Sequence, residues 1–340
     1  MNAGLRLADA PGRRTLSIVA PAFNEAQVIA RFHARLTAVL RTIELAAEIV
    51  YVNDGSIDAT QACLEVLRAQ DPRVCIVELS RNFGKEAAMT AGLDAAAGDA
   101  VVVIDVDLQD PPELIPQMVA EWQRGFDVVQ MRRVARPGET AFKRGSAHLH
   151  YRLLNALSST PIPADVGDFR LLSRRALDAL RQLPERCRYM KGLFAWIGFA
   201  QGEICYEREP RAGGATRWPL RRLVSLSLDG ITAFSTAPLR LASALGALIA
   251  GFAFVFALWV MFKTLAFGEP VRGFPTLLVA MLFLGGAQLL AIGILGEYLG
   301  RMFVEAKQRP LYLVKRTLPA ASIVARGQHS EPATLAAFGG

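Results

Sequence analysis

Two acidic side chains follow directly on an apolar run in the stretch Val101-Val102-Val103-Ile104-Asp105-Val106-Asp107-Leu108-Gln109-Asp110-Pro111-Pro112. The apolar run predicts a buried strand, which the two prolines end. Asp105 and Asp107 are two residues apart, so an extended chain points both to the same side. Such a pair at the end of a central strand is suited to a hard divalent cation and, through it, a diphosphate. The competing interpretation is an N-capping aspartate and a turn before a helix that begins near Glu113.

Strand and helix patterns alternate from residue 15 to about residue 130. The order predicts a parallel sheet with helices on both faces and ligands outside the carboxyl ends of its strands. Besides the acidic strand, the predicted strands are Leu16–Ala20, Glu48–Val52 and Val74–Leu79, and the predicted helices are Glu25–Arg41, Asp58–Gln70 and Lys85–Ala97.

Three polar clusters fall at these predicted strand ends: Pro21-Ala22-Phe23-Asn24-Glu25, Asn53-Asp54-Gly55-Ser56 and Asp105-Val106-Asp107. Because the carboxyl ends of parallel strands share one edge of the sheet, we expect the clusters to converge. The alternative is a set of strand-end turns and helix caps.

Two long apolar stretches lie in the C-terminal part of the chain. Leu239–Phe262 has no charge after Arg240, and Phe274–Gly296 has no charge at all. Each is long enough to cross a hydrocarbon core, which needs about 20 helical residues. Buried helices of a soluble protein are the alternative. Basic residues flank the pair on both sides, so the positive-inside tendency predicts cytoplasmic ends and an external loop.

Composition narrows the class of protein further. The net charge is +7, but the basic residues cluster beside the apolar stretches without aromatic interleaving, so nucleic acid is not an expected partner. The four cysteines show neither metal-type spacing nor a disulfide framework, as is typical of a reducing compartment. No apolar segment precedes the first strand, so no cleaved secretory signal is expected.

A family resemblance runs from about residue 15 to residue 316. It is carried by the motifs Ile18–Glu25, Val52–Ser56, Ser80–Glu86, Ile104–Glu113, Asp168–Leu171, Pro184–Arg186, Lys191-Gly192, Phe234-Ser235, Pro238–Arg240 and Gly293–Arg301. With these motifs the chain resembles family 2 glycosyltransferases of the polyprenyl-phosphate type, which include dolichol-phosphate-mannose synthases and bactoprenol glucosyltransferases. The resemblance implies an α/β GT-A (nucleotide-diphospho-sugar transferase) Rossmann-like domain followed by two C-terminal transmembrane helices.

One motif departs from the family pattern. Where the family usually has Arg-x-x-Gly-Glu-Ser/Thr-Lys-Tyr/Trp, this chain has Arg211-Ala212-Gly213-Gly214-Ala215-Thr216-Arg217-Trp218. Ala215 removes the acid, and Arg217 keeps the positive charge of the lysine. Arginine and lysine bind phosphate with different geometry, so the exchange is not neutral.

The resemblance also implies roles for individual residues. Asp107 and Asp105 would bind Mg²⁺ or Mn²⁺, with Gln109 completing the oxygen shell. Asp168 would be a general base or would orient the sugar or Arg170, and both are counted as catalytic beside Asp107. The expected substrate-binding residues are Pro21, Phe23, Glu25, Asp54, Lys85, Asp105, Arg132, Arg133, Lys143, Arg144, Arg211 and Arg217. Turn residues and solvated basic side chains are the alternative for these positions.

The expected reaction is inverting transfer of a hexose, with UDP-glucose as the first candidate donor, to undecaprenyl phosphate. It would take place on the cytoplasmic face of the inner membrane and give a lipid-linked sugar for cell-envelope glycosylation. Two alternatives stay open: another nucleotide sugar, of the mannose or aminoarabinose type, or a non-catalytic membrane scaffold that binds nucleotide sugar. A homo-oligomer through the transmembrane helices also stays open.

The expected organisation has five parts. They are an N-terminal tail (1–14), a catalytic domain (15–218), an amphipathic interfacial region (219–238), a two-helix transmembrane hairpin (239–298) and a cytoplasmic tail (299–340). The end of that tail, after about residue 317, is rich in small and polar residues, and we expect it to be poorly ordered.

Overall fold

The computed structural model describes residues 14–134, 166–207, 235–267 and 273–320. These residues form two compact units. One contains residues 14–134, 166–207 and 310–320, and the other contains residues 235–267 and 273–309.

The first unit is built on one eight-stranded sheet with the order β7-β5-β6-β4-β1-β2-β3-β8. Its strands are β1 (Thr15–Ala22), β2 (Ala46–Asn53), β3 (Val74–Leu79), β4 (Ala100–Val103), β5 (Val128–Arg133), β6 (Val166–Ser173), β7 (Gln201–Tyr206) and β8 (Val314–Leu318). Its helices are α1 (Ile29–Leu40), α2 (Thr60–Gln70), α3 (Lys85–Ala95), α4 (Ile115–Gln123), α5 (Arg174–Arg181) and α6 (Met190–Trp196), with a 3₁₀ turn at Pro112–Leu114.

The predicted alternation of strands and helices is confirmed through β4. Strand β1 pairs in parallel with both β2 and β4, and β2 pairs in parallel with β3. Every residue of β4 is buried, as expected for a central strand covered on both faces. Helix α1 packs Phe32 and Leu36 into the same core.

The other half of the sheet lies beyond the predicted alternation, and it is mixed rather than parallel. Strand β6 runs antiparallel to both β4 and β5, while β5 and β7 pair in parallel. Hydrophobic periodicity identifies a strand but not its direction or its neighbour, because these depend on contacts distant in sequence.

Strand β8 is an element that the sequence patterns do not predict. It lies antiparallel to β3 at the edge of the sheet, and its residues are largely exposed. Lys315 Nζ lies 2.6 Å from Oε1 of Glu78, and Arg316 pairs with Glu78 and Glu65. Arg68 donates to the carbonyl of Pro319, and Ala320 is fully buried. The expected disorder after residue 317 is therefore wrong for residues 318–320, while residues 321–340 lie outside the described ranges.

The second unit contains two long helices, α7 (Ala237–Phe267) and α8 (Phe274–Lys307), of 31 and 34 residues. By length and composition alone, both are able to cross a membrane, with candidate spans at Pro238–Phe256 and Phe283–Lys307. Their large apolar side chains are exposed, among them Phe252 and Leu289 at 72% and 71%. Most of the predicted interfacial region lies outside the described residues.

Candidate active site

The first two polar clusters meet at the carboxyl ends of β1 and β2. Asn24 has a left-handed backbone (φ 55°). Its N–H donates to Oγ of Ser56 at 3.0 Å, and its Oδ1 accepts the N–H of Ile57 at 2.9 Å. The N–H of Glu25 donates to Oγ1 of Thr60 at 2.9 Å. Phe23, which precedes this turn, is 42% exposed and presents a ring at the edge of the sheet.

Asp54 connects the end of β2 to the loop before α3. Its carboxylate accepts the N–H groups of Phe83 at 2.7 Å and Gly84 at 3.0 Å, and the residue is only 3% exposed. Burial raises the pKa of Asp54, and the two N–H donors partly offset that rise. Asp54 therefore stabilises this loop through hydrogen bonds within the protein. The sequence analysis predicted only a role in substrate binding for this residue.

Gly55 allows the same loop to approach closely. It has φ +63°, and a Cβ added there would lie 2.3 Å from the backbone carbon of Arg81. Backbone atoms cannot rotate away as a side chain can, so we expect Gly55→Ala to lower the free energy of unfolding by about 2–4 kcal/mol. Thermal unfolding of the full-length protein in detergent measures this. Gly125→Ala is the matched control, because Gly125 also has a positive φ but no atom within 4 Å of an added Cβ. Equal losses in the two variants would contradict the steric argument.

Lys85, the first residue of α3, links two carboxylates. Its Nζ lies 2.7 Å from Oδ2 of Asp105 and 2.7 Å from Oδ2 of Asp168. Burial by itself would lower the pKa of Lys85, but the two carboxylates raise it above its ordinary value. The ammonium group is therefore charged throughout the physiological range.

Asp168 reaches this position through the register of β6. Val103 on β4 lies opposite Arg170 on β6, and continuing the antiparallel register by two residues brings Asp168 opposite Asp105. Burial would raise the pKa of Asp168, but Lys85 and Lys191 lower it far below its ordinary value. A carboxylate with so low a pKa is ionised at neutral pH and is a weak proton acceptor.

The acidic turn after β4 has a specific backbone shape. Leu108 is buried and adopts a positive φ of 61°, and the N–H of Gln109 donates to Oδ1 of Asp107 at 3.1 Å. Asp110 is 1% exposed and accepts the hydroxyl of Tyr206 at 2.5 Å. The buried ends of the turn leave Asp105 and Asp107 half-buried between them.

This donor set fits a hard divalent cation. It offers carboxylate oxygens and the amide of Gln109 without sulfur or imidazole, as Mg²⁺ and Mn²⁺ prefer. The ammonium of Lys85 already lies against Asp105, so the carboxylate accepts a cation in this fold. Within the described residues, no three His, Cys, Asp or Glu side chains are grouped so that they could hold a metal ion by themselves. The remaining coordination positions would then go to water or substrate phosphate, which is common for Mg²⁺.

The structure separates the two arginines that end β5. Arg132 pairs with Glu203 on β7 at 3.1 Å, and both side chains are substantially exposed. Arg133 donates from Nε to the hydroxyl of Tyr206 at 3.3 Å, and its charge interacts with Asp110 and Asp168. Arg133 thus joins the Asp168 cluster, whereas Arg132 pairs with Glu203, in keeping with the opposite directions of consecutive strand residues.

Arg170 lies beneath the cluster. It is 2% exposed, donates to the carbonyl of Gly167 at 2.6 Å and places its guanidinium 3.8 Å from the ring centre of Phe194. Burial lowers the pKa of Arg170 to about 10. Its burial suits a residue that positions Asp168 better than one that contacts a substrate directly, so its place among the catalytic residues stays a prediction.

Two further charged residues complete the cluster. Glu86 follows Lys85 on α3, and its Oε2 accepts the N–H of Met190 at 3.2 Å. Burial raises the pKa of Glu86 to about 7, and the neighbouring Asp168 adds to the rise. Lys191 lies on the first turn of α6, and burial lowers its pKa.

Comparison with known proteins places the chain in a family. Residues 17–181 match the family model for glycosyl transferase family 2. An uncharacterized glycosyltransferase of Synechocystis sp. is 46% identical over 299 residues, which cover 88% of this chain and 94% of the relative. The chain belongs to glycosyltransferase family 2. The bactoprenol glucosyl transferase of Shigella phage SfV is 45% identical to this glycosyltransferase over 300 residues, 88% of this chain and 98% of the relative.

Among solved structures, the glycosyltransferase is similar to glucosyl-3-phosphoglycerate synthase from Mycobacterium tuberculosis, crystallised with Mn²⁺, uridine diphosphate and phosphoglyceric acid. The two are 22% identical, with a TM-score of 0.45, over 64% of this chain and 76% of that chain. Family membership and the mixed α/β sheet confirm the expected GT-A fold.

Sequence reasoning about the glycosyltransferase missed Glu86 and Lys191 as site residues. Glu86 is the last residue of the motif Ser80–Glu86, and Lys191 is the first residue of Lys191-Gly192. Their places in these two family motifs were the sequence signal that could have identified them. Four expected substrate-binding residues, Lys143, Arg144, Arg211 and Arg217, lie outside the described residues, as does the departure at Ala215.

The raised pKa of Glu86 predicts a pH effect on stability. The folded state holds the proton more tightly than the unfolded chain, so this contribution is complete below about pH 4.5 and is lost as the pH rises towards about 7. We expect wild type to lose on the order of 2 kcal/mol relative to Glu86→Gln across that window. Thermal midpoints of both full-length proteins, measured without metal or substrate, test this. A difference that stays constant with pH would contradict it.

Proposed function

We propose that this glycosyltransferase transfers glucose from UDP-glucose to a polyprenyl phosphate, undecaprenyl phosphate in bacteria, with inversion at the sugar. One observation carries the proposal. A single chain combines a charged site at the strand ends, built around Lys85, Asp105 and Asp168, with two helices of membrane-spanning length. The likeness to a bactoprenol glucosyl transferase over 88% of the chain supports the same combination.

The donor would bind at the carboxyl ends of β1 and β4. The exposed ring of Phe23 and the neighbouring Pro21 and Glu25 would contact the base and ribose, while Asp54 maintains the loop beside them. Asp105, Asp107 and Gln109 would hold Mg²⁺ or Mn²⁺. When bound, such an ion supplies countercharge for the departing diphosphate.

The acceptor is already a nucleophile. A phosphate monoester has a second pKa near 6 and is largely ionised at neutral pH. Its oxygen attacks the anomeric carbon, and the bond from that carbon to the diphosphate oxygen breaks, with the electron pair leaving on the diphosphate. No strong base is required, which agrees with the low pKa of Asp168. Asp168 would instead hold Lys85 and orient the reacting groups.

The two apolar helices would anchor the enzyme in the cytoplasmic membrane as a multi-pass protein. Their exposed Phe and Leu side chains suit contact with lipid. The basic residues that flank the pair favour a cytoplasmic catalytic domain and an external loop near residues 263–273. The catalytic domain would then correspond to residues 15–218, joined by β8 from beyond the helices.

A transfer assay tests the proposal. Purified protein in detergent is incubated with undecaprenyl phosphate, Mg²⁺ or Mn²⁺ and a panel of labelled nucleotide sugars, with an EDTA control. We expect label to enter the organic phase from UDP-glucose and to be abolished by EDTA. Transfer from another donor alone would correct the sugar, and donor binding without lipid labelling would favour the non-catalytic scaffold.

A further inference from the structure

Lys191 is an ammonium group without a direct partner in the part of the chain that the structure describes. It lies on the first turn of α6, is partly buried, and forms no hydrogen bond or ion pair there. Every other lysine or arginine of the cluster has such a contact: Lys85 with Asp105 and Asp168, Arg133 with Tyr206, and Arg170 with Gly167. A partly buried charge without a partner is costly unless a ligand completes it.

The charges around Lys191 favour an anion. Asp168 attracts it, whereas Arg133, Arg170 and Lys85 repel it. The carboxylate of Asp168 is already in contact with Lys85 at 2.7 Å. The charges that act on Lys191 are thus three cations and one carboxylate, and that carboxylate already pairs with Lys85. An anionic group entering beside Lys191 would correct this imbalance.

Helix α3 holds Lys191 in place through the backbone. Oε2 of Glu86 accepts the N–H of Met190, the residue directly before Lys191. Arg188 adds a longer contact from Nη1 to Oγ1 of Thr90 at 3.5 Å. Lys85 is the first residue of α3, so this helix positions the ammonium group of Lys85 directly. Through Glu86 it also holds the first turn of α6, which carries Lys191.

We propose that Lys191 binds the phosphate of the acceptor and that Glu86 is the residue that positions Lys191. This inference rests on the proposed function and assigns a residue to its second substrate. Lys85 extends from Asp168 to Asp105, on the side of the donor diphosphate. Lys191 shares Asp168 and Lys85 as charged neighbours, but it also faces Arg133 and Arg170 on β5 and β6. We therefore assign this part of the cluster to the phosphate of the acceptor.

Steady-state kinetics test the role of Lys191. We expect Lys191→Met to raise the KM for polyprenyl phosphate by about 10- to 100-fold, the effect of losing one charge-assisted hydrogen bond. The KM for UDP-glucose should change less than about twofold. Lys315→Met is the matched control, because Lys315 pairs with Glu78 on β3 and should leave both constants unchanged. A rise confined to the KM of UDP-glucose would overturn the proposal and assign the lysine to the donor.

Two variants at Glu86 test the positioning role. Glutamine keeps an oxygen that accepts the N–H of Met190, whereas alanine does not. We therefore expect Glu86→Ala to raise the acceptor KM towards that of Lys191→Met, and Glu86→Gln to restore it. Equal acceptor KM values for Glu86→Ala and wild type would overturn this part of the proposal.

Calorimetric binding of a short-chain isoprenyl phosphate separates this inference from the proposed reaction. If wild type binds the probe and Lys191→Met binds it at least about 10-fold more weakly, the phosphate site stands even if no sugar is transferred. Competition by inorganic phosphate distinguishes the headgroup from the lipid chain, since only phosphate recognition is competed. Equal binding by wild type and Lys191→Met would overturn the proposal whatever the transfer assay shows.

Discussion

Asp107→Asn is expected to reduce glucosyl transfer by about 10³-fold at saturating substrates. Asp107 is half-buried in a turn held by its own contact with the N–H of Gln109, so asparagine fits the space but loses the charge that a divalent cation requires. Loss of one preorganised electrostatic group commonly costs a factor of about 10²–10³. The kcat of the full-length enzyme, measured over a range of Mn²⁺ concentrations, is the primary measurement.

A second measurement separates metal binding from activity. Mn²⁺ binding in the presence of UDP, followed by electron paramagnetic resonance, should weaken in Asp107→Asn. Asp178→Asn is the matched control, because Asp178 lies on α5 with its side chain 51% exposed and outside the charged cluster. Transfer at the wild-type rate by Asp107→Asn in excess metal would show that this carboxylate is not a metal ligand.

Asp168→Asn is expected to affect both stability and catalysis. The side chain is 18% exposed and lies 2.7 Å from Lys85. The substitution would also leave the buried guanidinium of Arg170 without its main compensating carboxylate. We expect a loss of about 3 kcal/mol in the free energy of unfolding and of about 10²-fold in kcat. Thermal unfolding and initial-rate kinetics on the same preparation measure the two effects.

A double variant separates these effects. Adding Lys191→Met to Asp168→Asn removes one cation together with the carboxylate, so part of the lost stability should return while kcat stays low. Stability that falls additively in the double variant would contradict the charge-balance argument. Wild-type kcat in Asp168→Asn would show that the residue has no part in the reaction.

The parallel half of the fold could be predicted from sequence because its signals are local. The apolar run at Val101–Val103 and the helical pattern of α2 each extend over a few neighbouring residues, and chain order then restricts the connections between them. Strand β8 could not be predicted in this way. Its residues Val314–Leu318 are mostly exposed, so it has no alternating apolar pattern and is held by edge pairing with β3 and by ion pairs to Glu78.

In the candidate site too, local motifs identified individual residues, whereas their contacts depend on the tertiary structure. Asp105 and Lys85 were recognised because each belongs to a motif beside a predicted element boundary. The contact of Lys85 with Asp168 depends on the antiparallel register of β4 and β6, between residues more than sixty positions apart. Arg132 and Arg133 are neighbours in sequence, but strand geometry divides them between Glu203 and Tyr206.

Residue order alone was sufficient for the alternating α/β pattern, the acidic turn and the two apolar helices, because periodicity and turn chemistry act over short distances along the chain. Tertiary structure decided which charges meet. It buried Arg170 beneath Asp168, used Asp54 to hold a loop, and brought Glu86 and Lys191 from separate helices to one cluster. The pKa of each group depends on burial and on charges a few ångströms away, and those neighbours exist only once distant segments have packed together.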